Sequence, residues 1–239
     1  MCSLQKLLLI GITLECCVDV TGLRDWLPFG ANIDGEAADD ESGLAVSLSS
    51  DGTSVAVGAR YNDGNGASSG HVRVYWNSGT SWSQVGDDID GSSSGDLFGR
   101  SVSLSADGNT VAIGAIENDV WANNAGQVRV FQWGSSFDGW EWGGLGSPIN
   151  GEDANDLNGL SVSLSPSGTM LCVASHEHDG DNGDASGSVR VFEYATNAFS
   201  DSGTWTLVGS AIHGEAAGDW SGWSVSLSSS GSRVAIGGF

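Results

Sequence analysis

Basic side chains are scarce in this sequence: 8 Lys and Arg stand against 30 Asp and Glu, a formal charge of −22. Phosphate backbones are held by basic faces, so nucleic acid is excluded as a partner and an anionic membrane surface is disfavoured. Cysteine is almost absent. Cys2, Cys16 and Cys17 crowd the start of the chain and Cys172 stands alone, so there is neither a disulfide framework nor zinc spacing. Long hydrophobic runs are missing too. The longest, Leu7 to Leu14, is far short of a bilayer span. With Lys6 before it and small residues after, it reads as a secretory signal peptide over residues 1–22, which leaves residues 23–239 as the mature chain with no membrane insertion after its removal. No segment carries 3.6-residue periodicity over a useful length, which excludes a helical solenoid.

What fills the chain instead is a repeat. With Val46, Val102, Val162 and Val225 as anchors, the position twenty residues earlier is always tryptophan (Trp26, Trp82, Trp142, Trp205). Sixteen earlier comes glycine (Gly30, Gly86, Gly146, Gly209), and thirteen earlier isoleucine (Ile33, Ile89, Ile149, Ile212). Six earlier is aspartate (Asp40, Asp96, Asp156, Asp219), and glycine recurs three before and six after each anchor. A Val-Arg-Val run follows at Val72, Val128 and Val189. Units counted from tryptophan begin near residues 26, 82, 142 and 205, and are 56 to 63 residues long.

Each apolar run within a unit is about four to six residues long and rich in Val, Ile, Ser, Phe and Trp, which suits strands. Ser101-Val102-Ser103-Leu104 alternates with period two, so Val102 and Leu104 share one face and the serines the other. Asp51-Gly52 and Asp107-Gly108 lie between two such runs, where Asp and Gly tolerate the positive φ of a tight hairpin. Four short strands per unit, repeated about four times, specify an all-β propeller of four-stranded blades. The Val-Arg-Val strand occurs three times and the others four, which points to a partial ring or a truncated arc of a larger propeller, with exposed strand edges.

Phe98-Gly99, then Ile113-Gly114-Ala115, then Val128-Arg129-Val130-Phe131 resembles the FG-GAP repeat of integrin-α-type propellers, and the likeness runs over roughly residues 26–239. The resemblance implies a cell-surface or secreted module for adhesion or recognition, and a complete ring about twice this length. The family's calcium loop has no counterpart before the Gly-Ala strand, where this chain has the short turn Ala106-Asp107-Gly108-Asn109.

Several side chains are candidates for a role. Arg73, Arg129 and Arg190 sit at the centre of each Val-Arg-Val, and the repeated Asp40, Asp96, Asp156 and Asp219 are their natural partners in a structural Arg–carboxylate bridge. Asp179, Asp181 and Asp184 alternate along a glycine-supported loop, the best arrangement of hard oxygens for calcium in the chain. His176 and His178 lack a third ligand at metal spacing and read as loop residues. Cys172 takes the place of Ala56, Ala112 and Ala235, a small buried slot. The four phased tryptophans read as blade packing. Trp121, in a variable loop, is the candidate ligand contact, while Trp140, Trp220 and Trp223 are unassigned by the repeat.

The functional expectation is an extracellular or cell-surface, non-enzymatic recognition module for a protein or glycan. The alternatives are a hydrolase or enzyme accessory with carboxylates in a central channel, and a purely structural acidic repeat.

Overall fold

A computed structural model describes residues 18–19, 27–136, 139–196 and 203–239. The leader expected over residues 1–22 lies outside the described residues apart from Val18–Asp19 (β1), which pairs antiparallel with Leu27–Pro28 (β2). Trp26 also lies outside them. Among the described residues no helix is long and apolar enough to cross a membrane.

The architecture is all-β. The first full sheet is a meander of β3 (Ala45–Leu48), β4 (Ser54–Ala59), β5 (His71–Asn77) and β6 (Trp82–Gln84), with β7 (Ile89–Asp90) paired to the start of β5. The second repeats it as β8 (Phe98–Leu104), β9 (Thr110–Ala115), β10 (Gln127–Ser136), β11 (Gly139–Gly144) and β12 (Ile149–Asn150). The third is β13 (Val162–Leu164), β14 (Met170–Ser175), β15 (Ser188–Thr196), β16 (Gly203–Leu207) and β17 (Ile212–His213). The fourth has two strands, β18 (Ser224–Leu227) and β19 (Val234–Gly237).

Two features of the sheets were not visible in the repeat. Counted from tryptophan, the sequence period is out of phase by one strand. The Val-Arg-Val strand folds straight back onto the tryptophan strand, as the Trp133–Trp142 register pair shows, so tryptophan closes a sheet rather than opening one. The recurring isoleucine adds a short fifth strand, so Val128 of β10 faces Ile149 across β12.

The hairpins follow the sequence. Gly52, Gly108, Gly168 and Gly231 all adopt φ between 68° and 74°, the left-handed region that the turn requires. The Asp51 carboxylate fastens its turn by accepting from the Thr53 N–H and the Ser49 hydroxyl, which holds its pKa below the usual carboxylate value.

The core lies between sheets. Ala56, Val72 and Val74 of the first sheet pack against Phe98, Leu104, Val111, Ile113 and Phe131 of the second. The same layer recurs between second and third sheets, where Val128 and Val130 meet Val173 and Phe192. A thinner one joins third and fourth, including Cys172, which is fully buried and whose thiol is pushed up to about 12 by burial. Face-to-face stacking of successive antiparallel meanders is the blade packing of a propeller. The stack is an arc with open ends: Val46 and Leu48 are exposed on the first sheet, and Ala235 on the last.

Polar groups stitch the same junctions. The serine face of the inner strands turns toward the neighbouring sheet: Ser47, Ser103 and Ser163 each accept the N–H of the next sheet's leucine (Leu104, Leu164, Leu227) at 2.9 Å. The phased tryptophans do likewise on the outside. Trp142 Nε1 donates to the Val85 carbonyl and Trp205 Nε1 to that of Leu145, both at 2.8 Å. Such bonds satisfy a buried donor and fix the relative height of two sheets.

Candidate functional site

The repeated arginines and aspartates make no direct ion pair, although the charge of Asp96 acts on Arg129 and that of Asp156 on Arg190. Asp96, Asp156 and Asp219 each end a tight turn and spend the carboxylate on N–H groups three and four residues back. Asp96 accepts from Ser92 and Ser93, Asp156 from Glu152 and Asp153, and Asp219 from Glu215 and Ala216. Asp40 accepts from Asn62. The arginines project from the third strand toward the short fifth strand of the preceding sheet. Arg129 Nη1 donates to the Asp90 carbonyl at 3.2 Å, and its guanidinium lies over the Phe98 and Phe131 rings. Arg190 Nη2 donates to the Asn150 carbonyl at 2.7 Å and to Asn158 Oδ1 at 2.9 Å. Arg73, in the first sheet, pairs with Glu36 and with Asp88.

The Asp179–Asp184 loop does not gather its carboxylates. Asp179 Oδ1 accepts the Ala185 N–H at 2.7 Å, the same loop closure that Asp63 makes with Ser68 and Asp119 with Asn124. Among the described residues the group whose ligand atoms converge within 4.8 Å is Glu36, His71 and Asp88. Arg73 already neutralises both carboxylates there, so a cation would have to displace a guanidinium. His71 is buried, and burial lowers its pKa against the opposing pull of Asp88, Asp90 and Asp40.

His176 and His178 part company. His178 Nδ1 lies 3.1 Å from the buried Asp156 carboxylate and its ring stacks on His213. His176 packs edge-on against Trp220 and Trp223, and burial, aided by Arg100, lowers its pKa to about 4. Trp220 and Trp223 stack on each other with Phe239 against both, so they serve the last junction.

The arrangement best suited to a ligand lies where the first and second sheets meet at their outer edge. A cavity of about 310 Å³ opens there, lined by Asp87, Asp88, Asp90, Glu141, Arg129 and the aromatic residues Phe131, Trp140 and Trp142, with Gly86 and Ile89. β10 and β11 position its wall. Trp142 lies across from Trp133 in the ladder, and Trp140, two residues away, shares its face and stacks on Trp133 with centroids 6.1 Å apart. Trp140 is nonetheless 66% exposed. Asp90 lines the cavity as an exposed residue, and partial burial with the neighbouring Asp88 raises its pKa. Such a cavity can stack a flat apolar face on indole while carboxylates accept hydroxyl protons. Its volume is at the lower end for small-molecule sites.

Trp121, the candidate from sequence, is 65% exposed but does not line this cavity; its Nε1 donates to the Glu152 carbonyl at 3.3 Å. Sequence reasoning left Trp140 unassigned because it sits outside the repeat slot. Its signal was the Trp140-Glu141-Trp142 alternation, which puts both rings on one face of a strand.

Residues 88–131 match the family model described as FG-GAP repeat. A comparison with curated proteins gives no match. Among solved structures, the chain is similar to a candidate 6-phosphogluconolactonase of Bacteroides uniformis, with 13% identity and a TM-score of 0.49 over 87% of this chain and 53% of the other. It is also similar to the periplasmic gluconolactonase PpgL of Pseudomonas aeruginosa, with 14% identity and a TM-score of 0.49 over 95% of this chain and 60% of that one. It thus spans between half and two thirds of those proteins. The stretch that matches the FG-GAP repeat, residues 88–131, thus runs from β7 into β10 of the second sheet.

Proposed function

We propose that the protein is a recognition module that binds a neutral glycan in the cavity between its first and second sheets. The observation that supports this reading is Trp140, an indole two-thirds exposed yet held flat by Trp133, beside carboxylates of Asp87, Asp88, Asp90 and Glu141. A rigid exposed ring loses little entropy on stacking, and the carboxylates suit sugar hydroxyls. The net charge of −22 disfavours sulfated or phosphorylated ligands. A secreted or cell-surface setting is in keeping with the leader-like start of the sequence.

The test is a screen of neutral and anionic oligosaccharides, followed by titration of any binder against Trp140→Ala. We expect a neutral sugar to bind and the substitution to weaken it about tenfold or more, with an unchanged melting temperature. Failure of every neutral sugar, or binding indifferent to Trp140, removes the proposal.

One observation favours a second reading, a glycoside hydrolase. Asp88 and Asp90 line the same cavity, and a carboxyl with a raised pKa is what a general acid needs. Turnover of the bound sugar, lost in Asp90→Asn while binding persists, would select that reading over simple recognition.

A further inference from the structure

The seam between the first and second sheets carries more tryptophan than the repeat uses. Trp142 and Trp205 are the repeat's own indoles, and each ties its sheet to the preceding one through a backbone carbonyl. Between the first and second sheets stand three more: Trp76, Trp133 and Trp140. At the next junction the same ladder positions hold Gln132, Tyr194 and Gly203. There the Gly203 N–H donates to the Tyr194 hydroxyl at 3.0 Å and the Tyr194 ring packs on Trp205, so that edge closes without extra indoles. Blade packing therefore does not call for them.

Trp133 and Trp140 serve the cavity already described, but Trp76 does not line it. It lines a second cavity of about 330 Å³ on the same seam, together with Trp133, Thr53, Asp107 and Asn109. The two cavities adjoin. Val85 lines one and Gly86 the other, and a methyl group on Gly86 would collide with the Trp133 ring that lies between them. Trp76 is 49% exposed, so its indole is open to a ligand. Asp107 accepts from Asn109 Nδ2 at 3.1 Å, which holds an exposed amide at the wall with an acceptor and a further donor to spare.

We propose that the two cavities are neighbouring subsites for one neutral, linear, β-linked oligosaccharide, with Trp76 as the stacking platform of the second; this rests on the glycan reading above. Equatorial linkages leave the faces of each pyranose ring apolar and its edge lined with hydroxyls. Indoles bordered by amide, hydroxyl and carboxylate groups match both features. A chain seated in the first cavity presents its next units to the second at high effective concentration, so length adds affinity. A single sugar unit would leave Trp76 unused.

The probes are neutral β-linked glucan, mannan and xylan, each as disaccharide and hexasaccharide, titrated calorimetrically into the full chain. The variant is Trp76→Gln, which copies Gln132 of the second sheet and is thus a residue this strand position accepts. Trp121→Ala, at an exposed indole outside both cavities, is the control. We expect the hexasaccharide of at least one series to bind about tenfold tighter than its disaccharide. Trp76→Gln should remove that gain and keep disaccharide binding and the melting temperature, while Trp121→Ala changes none of them. Equal affinity for the two lengths, or a gain that survives Trp76→Gln, overturns the second subsite. If Trp140→Ala still weakens the disaccharide in that case, the glycan reading stands without it. Absence of binding in every series removes both.

Discussion

The second and fourth sheets are built from nearly the same sequence and end in different physical states. Val111-Ala112-Ile113-Gly114 and Val234-Ala235-Ile236-Gly237 occupy one repeat position. In the second sheet, Val111, Ala112 and Ile113 are completely buried between two neighbours, whereas in the fourth Ala235 is exposed and Val234 and Ile236 are half-buried. The pattern of a strand fixes which side chains share a face, and the neighbouring sheet fixes whether that face sees water. Stability in such an array is therefore a sum over junctions, as in other repeat proteins.

The sharpest way to break this comparison is a paired glycine substitution. A methyl group at Gly114 would collide with the backbone carbonyl of Gly159 in the next sheet, and a backbone cannot step aside. The same change at Gly237 would meet only the Ser224 hydroxyl, which can rotate. Gly114→Ala should lower unfolding stability by about 3 kcal/mol, as overpacking does. Gly237→Ala should stay within about 0.5 kcal/mol in the same denaturant titration.

Truncation of the neighbouring isoleucines tests the packing side. Ile113→Ala removes methyl groups from the closed core and should cost about 3 kcal/mol. Ile236→Ala, on the half-covered strand, should cost about 1 kcal/mol because less apolar area is lost from burial. Equal costs would mean that the last sheet is packed as fully as the second.

Acid should weaken the last junction through His176, as it should the first sheet through the buried His71. His176 has a folded-state pKa of about 4 against 6.5 for a free imidazole, so between those values the unfolded chain binds the extra proton. Its contribution is fully present above pH 6.5 and is lost as pH falls toward about 4. Thermal melts across that range should fall with acid, and His176→Phe should make the dependence shallower while the share of His71 remains. A slope unchanged by the substitution would place the titrating group elsewhere. The smallest effect belongs to the serine stitches. Ser103→Ala leaves the Leu164 N–H without its acceptor and should cost about 1 kcal/mol, while Ser226→Ala at the open end should cost nothing measurable.

The architecture was legible because it is written in local chemistry repeated in phase: alternating Ser-Val-Ser-Leu, Asp-Gly turns, and a tryptophan every unit. The phase of the sheets was not legible. A circular repeat has no intrinsic starting point, and only the pairing of Trp133 with Trp142 shows which strands share a sheet. The arginine–aspartate pairing failed for a related reason. Their common periodicity shows that both recur, not that they touch, and Asp96, Asp156 and Asp219 were already satisfied by N–H groups in their own turns. The candidate site was the least legible part. Trp140 gains its role from Trp133 across the hairpin and from carboxylates brought over from the preceding sheet, contacts that no single stretch of sequence displays.

Native-state hydrogen exchange on the full chain tests the central contrast most directly. Residues 111–115 of β9 should exchange only through global unfolding, and residues 234–237 of β19 much faster through local opening. Equal protection of the two strands would contradict the account, because it would mean that the fourth sheet is already closed.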